Sequence, residues 1–219
     1  MPDAVKPERT RPKRTYDASG RRDRARRNRM TMLAAGRELF LEHGYANTTI
    51  AMVATGAGVA VQTVYKAFDN KAGLVKALVD VAIVGDDEPV PLMERDFVRR
   101  NMAEPDPRRK LASYGMHLAG LAPRANPILL LVRDAGGTDP GAAHVWEQMQ
   151  AERLVGMTHF AQHLRAMRHL RRGVSVTEAR DVLWMHNSVE VWDLLVRQRG
   201  WTPTRYGRWI GNQLIAALL

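Results

Sequence analysis

The chain has 219 residues, 45% of them hydrophobic, and its 33 Lys+Arg against 23 Asp+Glu give a formal net charge of +10. That length suffices for one large or two small domains with a core that needs no covalent staples, and the absence of cysteine excludes a disulfide framework, a thiolate metal site and a thiol nucleophile, which fits a reducing compartment. There is no run of roughly 18 apolar residues, so no membrane span is expected, and a polar start with Pro2, Asp3 and Glu8 lacks the apolar core of a signal peptide, which makes the cytoplasm the expected location.

The charge is unevenly placed. Residues 1–29 hold eleven Lys+Arg against four Asp+Glu, so most of the excess sits at this end. Residues 1–22 are rich in Pro, Lys and Arg and poor in large apolar side chains, and read as a disordered basic arm. Such an arm suits a polyanionic partner, or simply solubility. From about Arg24 a helical period begins, with Met32, Ala35, Gly36 and Leu39 on one face. Gly44 is placed to end that helix in the left-handed conformation, with Tyr45 folding back as its apolar contact.

Residues 48–71 carry the recognition chemistry. Thr48, Thr49 and Ile50 can cap and start a short helix to about Gly56, Gly58 supplies a turn, and a second short helix spans about Val61 to Lys66. Ile50, Val53, Ala54, Val59, Val64 and Phe68 are expected to face the core, and Thr48, Gln62, Thr63, Tyr65, Lys66 and Lys71 to face out. Two short helices around a glycine turn, after a longer helix, make a helix-turn-helix over residues 23–70. Its second helix has the size to enter a DNA major groove, with Val61 on its leading turn. Gln62 can bond a base edge bidentately, Thr63 a base edge or a phosphate, and Tyr65 and Lys66 the backbone. Asn70 can cap the next helix, so that Lys71 and free N–H groups offer another phosphate site. Arg21, Arg22, Arg24, Arg26 and Arg27, directly before the first helix, are placed for flanking phosphates or a narrow minor groove in a docked dimer.

Downstream, Asp106-Pro107, Asn126-Pro127, Asp139-Pro140 and Thr202-Pro203 each set a capping side chain before a proline, and Ser175 with Glu178 forms a capping box. No alternating strand pattern occurs, so the chain reads as all-α, with about nine or ten helices and a helical domain over residues 71–219. Residues 178–196 read as one helix apolar on nearly every face, and the final helix carries an apolar stripe. A second copy packed in a two-fold dimer on Val182, Val189, Trp192, Tyr206, Trp209, Ile210 and Leu214 would cover both; a thick single-chain core is the alternative.

Polar groups amid Trp and Met, namely Tyr114, His117, Trp146, Met149, Trp184 and Asn187, are candidates for a ligand cavity, or else ordinary core. His159 and His163 stand four apart on a helix without a third ligand, so no metal is expected. Gly136-Gly137 lacks the lysine and spacing of a phosphate loop, no nucleophile-and-base spacing suggests an enzyme, and no pattern asks for a cofactor.

The run "MLAAGRELFLEHGYANTTIAMVATGAGVAVQTVYKAFDNKAGL", residues 32–74, resembles the DNA-binding domain of the TetR family of bacterial transcriptional regulators. Leu39-Phe40, Gly44-Tyr45, Thr48-Thr49, Ala57-Gly58-Val59, Thr63-Val64-Tyr65, Phe68 and Lys71 carry the resemblance, and the ending "GWTPTRYGRWIGNQLIAALL" looks like a family dimerisation helix. The resemblance implies a homodimer on double-stranded operator DNA, a three-helix reading domain, and a variable helical domain that dimerises and holds a small-molecule effector. Ligand binding would move the reading helices through a lever over about Lys71 to Val84, making the protein a ligand-released repressor. It also implies that Thr48 and Thr49 touch the DNA backbone, that Gln62 and Thr63 read or position, and that Tyr65 and Lys71 grip phosphate. Two positions depart from the family: Ala60, where a serine often caps the reading helix, and Gln62, often a glycine. An architectural DNA-binding protein without ligand control is the rival from another class.

Overall fold

The period that starts among the arginines runs further back than its apolar face requires: α1 spans Ser19–Asn47, broken by the backbone of Gly44 (φ 76°, ψ 173°). The computed structural model describes residues 19–219, with side chains from residue 24 onward. Residues 1–18 of the expected basic arm lie outside the described residues, and its last four belong to the first turn of α1. Beyond Gly44, Tyr45 folds back and stacks on Phe40, ring centroids 5.7 Å apart. Then follow α2 (Ile50–Gly56), α3 (Val61–Phe68) and α4 (Lys71–Val84). Met32, Phe40, Val53, Val64 and Leu74 from these four helices meet in one core.

The rest comprises α5 (Asp96–Ala103), α6 (Pro107–Ala135), α7 (Pro140–Ala166), α8 (Val176–His186), α9 (Val189–Trp192) and α10 (Pro203–Leu218). A π-helical turn, Asp193–Gln198, continues α9. Among the described residues there are ten α-helices and no strand. Capping side chains start most of them: Asp106 accepts from the Arg108 and Arg109 amides, Asp139 from Ala142, Ser175 from Glu178 and Thr202 from Arg205.

Asn126-Pro127 is the exception. Instead of starting a helix it lies inside α6, as does Pro123. Ala122, Ala125, Ile128 and Val132 keep the helical period across both prolines and are fully or almost fully buried, and that burial outweighs the backbone bonds the prolines remove. Asn126 is buried rather than capping. The segment 178–196 is likewise not one helix: Asn187 ends α8, and Ser188 caps a new one by accepting from the Val191 amide at 3.3 Å.

Helices α6 and α10 cross at small residues. A Cβ on Gly115 would fall on the Gly207 carbonyl, and one on Gly207 would fall 2.6 Å from the Ala119 methyl. This close crossing corrects the expected dimer set. Tyr206, Ile210, Leu214, Val189 and Trp192 are buried in the chain's own core, at 0–6% exposure. Val182 and Trp209 alone of the seven stay partly open. α4 joins the helix-turn-helix to the rest of the chain: its Leu74, Val75 and Leu78 share a core with Ile128 and Val132 of α6 and Val145 of α7.

Candidate nucleic-acid interface and effector cavity

The turn of the helix-turn-helix needs a left-handed residue, and Gly58 supplies it at φ 64°. The Val59 amide then bonds back to the Ala54 carbonyl at 3.0 Å, which sets α3 against α2. α3 buries Val64 and Phe68 and leaves Val61, Gln62, Thr63, Tyr65 and Lys66 exposed. One face of α3 is thus anchored while the other presents an amide, a hydroxyl, a phenol and an ammonium. Ala60, at the N-cap, makes no side-chain capping bond, which leaves amides at the head of α3 open.

Arg24 and Arg26 are exposed on the first turns of α1. Thr49 is exposed and caps α2, its hydroxyl accepting from the Met52 amide at 3.2 Å. One expected contact does not stand as read. Thr48 is fully buried, and its hydroxyl shares its one proton between the carbonyls of Gly44 (2.8 Å) and Leu39 (3.0 Å). It serves the end of α1, where the break at Gly44 frees carbonyls, and faces no solvent. Lys71 is half-buried, its ammonium on the Ala46 carbonyl (3.3 Å) and 4.2 Å from the Tyr45 ring centroid; burial lowers its pKa. From there it ties α4 to the α1–α2 turn.

The exit from α3 is tight. Asp69 takes φ 66°, ψ −51°, and the Asn70 amide reaches the Phe68 carbonyl at 2.7 Å, a γ-turn. Asn70 caps α4 by accepting from the Gly73 amide at 2.8 Å. A Cβ on Gly73 would fall on the Phe68 carbonyl oxygen, so α4 begins this close to α3 only with glycine there.

A cavity of about 590 Å³ opens behind this unit, within the size range of ligand pockets. Tyr114, His117, Trp146, Met149 and Asn187 line it. Trp184 does not; it lies in a shallow groove on the far side of Arg153. His117 stacks on Phe97 with centroids 3.6 Å apart, and burial, helped by the field of Arg124, pushes its pKa down to about 4. His163, one of the spaced histidines, has its Nε2 2.6 Å from the Lys110 ammonium, a neighbour that repels a cation.

The cavity wall includes a feature that the sequence reading did not single out. The loop after α4, residues 85–95, forms a strap over one side, with Asp86, Asp87, Glu88, Val90 and Arg95 on the wall. Arg29 of α1 also reaches this wall. Its guanidinium pairs with Asp87 at 3.0 Å, donates to the Ala67 carbonyl in the last turn of α3 at 3.0 Å, and lies 4.5 Å from the Phe68 ring centroid. Arg26 pairs with Glu88 at 3.2 Å, and Arg95 holds Asp86 at 2.6 Å. The strap is therefore bonded both to the helix-turn-helix unit and to itself.

Residues 32–78 match the family model for bacterial regulatory proteins, tetR family. No curated protein matches the chain. Solved structures share the fold along most of its length. A transcriptional regulator FadR from Bacillus subtilis, in complex with stearoyl-CoA, is 18% identical with a TM-score of 0.68, over 87% of this chain and 99% of that one. NalD of Pseudomonas aeruginosa, the secondary repressor of the MexAB-OprM multidrug efflux pump, is 21% identical with a TM-score of 0.68, over 89% and 98%. A TetR transcription regulator from Haloarcula marismortui is 17% identical with a TM-score of 0.61, over 88% and 98%.

Proposed function

As a bacterial regulatory protein of the tetR family, by its residues 32–78, the chain works, we propose, as a homodimeric repressor that leaves a palindromic operator when a small molecule fills the cavity. Residues 23–70 bind DNA and residues 71–219 bind the effector and dimerise. Gln62 reads a base edge, adenine being its simplest bidentate partner, with Val61 and Thr63 beside it in the groove. Thr49, Tyr65, Lys66, Arg24 and Arg26 hold the backbone. The dimer pairs α8 and α10 through their outer faces, where Val182, Met185 and Trp209 remain open or partly open.

The observation that carries the reading is Arg29, which touches the cavity wall, the strap and the last turn of α3 at once. A ligand that displaces the strap pulls on Arg29 and through it on the seat of the reading helix. Release requires only that the ligand bind the displaced state better, about 1.4 kcal/mol for each tenfold loss of DNA affinity. The bound stearoyl-CoA of the FadR structure and the repressor role of NalD, both on this fold, support an effector-released repressor. Binding to the DNA upstream of its own gene tests this. A palindromic site there should bind far more tightly than scrambled DNA at the same salt, with a salt slope corresponding to about 6–10 phosphate contacts. Equal affinity for scrambled DNA would replace the reading with an architectural role.

A further inference from the structure

Among the described residues, every charged side chain on the cavity wall except one lies within 4.0 Å of an opposite charge. Arg29 has Asp87, Arg95 has Asp86, Glu88 has Arg26, and Asp80 and Glu152 share Lys76. The exception is Arg153 of α7. Its guanidinium donates to the Asn187 carbonyl at 2.9 Å and to Oε1 of Gln150 at 2.6 Å, and lies 4.3 Å from the Trp184 ring centroid, all of them neutral partners. Its Nε is buried without an acceptor. Glu190 acts on it only at a distance, its carboxylate lying 3.7 Å from Arg133. Arg153 is half-buried; an arginine does not escape that desolvation by losing its proton, and a partly desolvated charge gains from a counter-charge. Two neutral bonds and the Trp184 face hold the guanidinium in place, and the remaining N–H groups have no carboxylate to meet.

We propose that the effector is an organic anion, one carboxylate- or sulfonate-type head on an apolar body, with the head paired to Arg153. The body lies along the apolar wall of Phe97, Leu118, Leu121 and Leu129. A cation finds no equivalent seat, because each carboxylate on the wall already has a basic partner. His117 offers no competing positive charge near neutral pH, since burial keeps it unprotonated. The bidentate fork of arginine suits such a head better than a lysine would. This inference rests on the reading of the cavity as the effector site.

Two fluorescent dyes with a common body test it on the full chain. 8-Anilinonaphthalene-1-sulfonate carries the anion, and N-phenyl-1-naphthylamine lacks it. The wild type should bind the sulfonate at least about tenfold more tightly, the equivalent of one well-placed charged hydrogen bond. Arg153→Met should remove that preference and leave the neutral dye within about twofold, which also shows the variant folded, while Arg153→Lys keeps part of the preference. Equal wild-type affinities, or an unchanged sulfonate affinity in Arg153→Met, would overturn the anion assignment alone. If neither dye enters the wild-type cavity, the effector-site reading falls, and this inference with it.

Discussion

Arg29 and Asp87 meet at 3.0 Å, one from the first helix of the DNA-binding unit and the other from the strap over the cavity. The pair is about a third and a fifth exposed, so screening weakens it. Arg29 adds its bond to Ala67 and its contact with Phe68, both on α3. Arg29→Met should therefore cost about 1–3 kcal/mol of stability, and Asp87→Asn about 1 kcal/mol or less. Urea melts of the singles and the double variant should give a coupling of about 0.5–1 kcal/mol. Additive singles would remove the pair as a link between cavity and reading helix.

The reading helix separates two kinds of contact. Gln62→Ala should relax the preference at one base position by about 1–3 kcal/mol, with little change at other positions. Lys66→Ala should weaken binding to all sequences alike and lower the salt slope by about one. Binding to a panel of single-substitution operators at two salt concentrations checks both. If Gln62→Ala weakened every operator equally, Gln62 would be a backbone contact.

The local part of this architecture was legible and the long-range part was not. Val64 and Phe68 mark the buried face of α3 by their spacing, so the exposed set of Gln62, Thr63, Tyr65 and Lys66 follows from the helical period alone. Thr48 misleads because nothing in its neighbours says that the carbonyls of Leu39 and Gly44 need its hydroxyl. The stripe on α10 signals burial correctly but not by what. The partner is α6, and the available clue was small residues at Gly115 and Ala119 opposite Gly207 and Gly211. Arg29 and Asp87 are 58 residues apart, and one arginine among many carries no mark of its partner. Arg153 is hidden for the same reason, since its lack of an opposite charge among the described residues is a property of the fold.

Two glycines on neighbouring helices should respond oppositely to the same substitution. In α1, a Cβ on Gly36 would meet Leu74 side-chain atoms at 3.5 Å, an ordinary contact, so Gly36→Ala should stabilise by about 0.5–1 kcal/mol through helix propensity. In α4, the Cβ of Gly73→Ala would collide with the Phe68 carbonyl, which is backbone and has nowhere to go. That variant should lose about 2 kcal/mol or more. It should also lose operator affinity out of proportion, because the shift is at the end of α3. Thermal melts and operator titrations of both variants decide; a stable, fully binding Gly73→Ala would show that the α3–α4 junction tolerates movement.

Acid should destabilise the fold before its carboxylates titrate. His117 is stacked on Phe97 and held by burial at a pKa of about 4, below the usual value of 6.5. His163 and His169 are lowered too, first by burial and then by the Lys110 ammonium. Each pKa is lower folded than unfolded, so between pH 6.5 and about 4 the unfolded chain binds more protons. The stabilisation is complete above pH 6.5 and is lost as the pH falls toward the folded values. The thermal midpoint should drop steadily from pH 7 to pH 5 and level off above neutrality. His117→Gln and His163→Gln should each flatten that slope, whatever they do to the midpoint at pH 7. A midpoint that does not move between pH 7 and pH 5 would mean that these imidazoles titrate as freely in the folded chain as in the unfolded one.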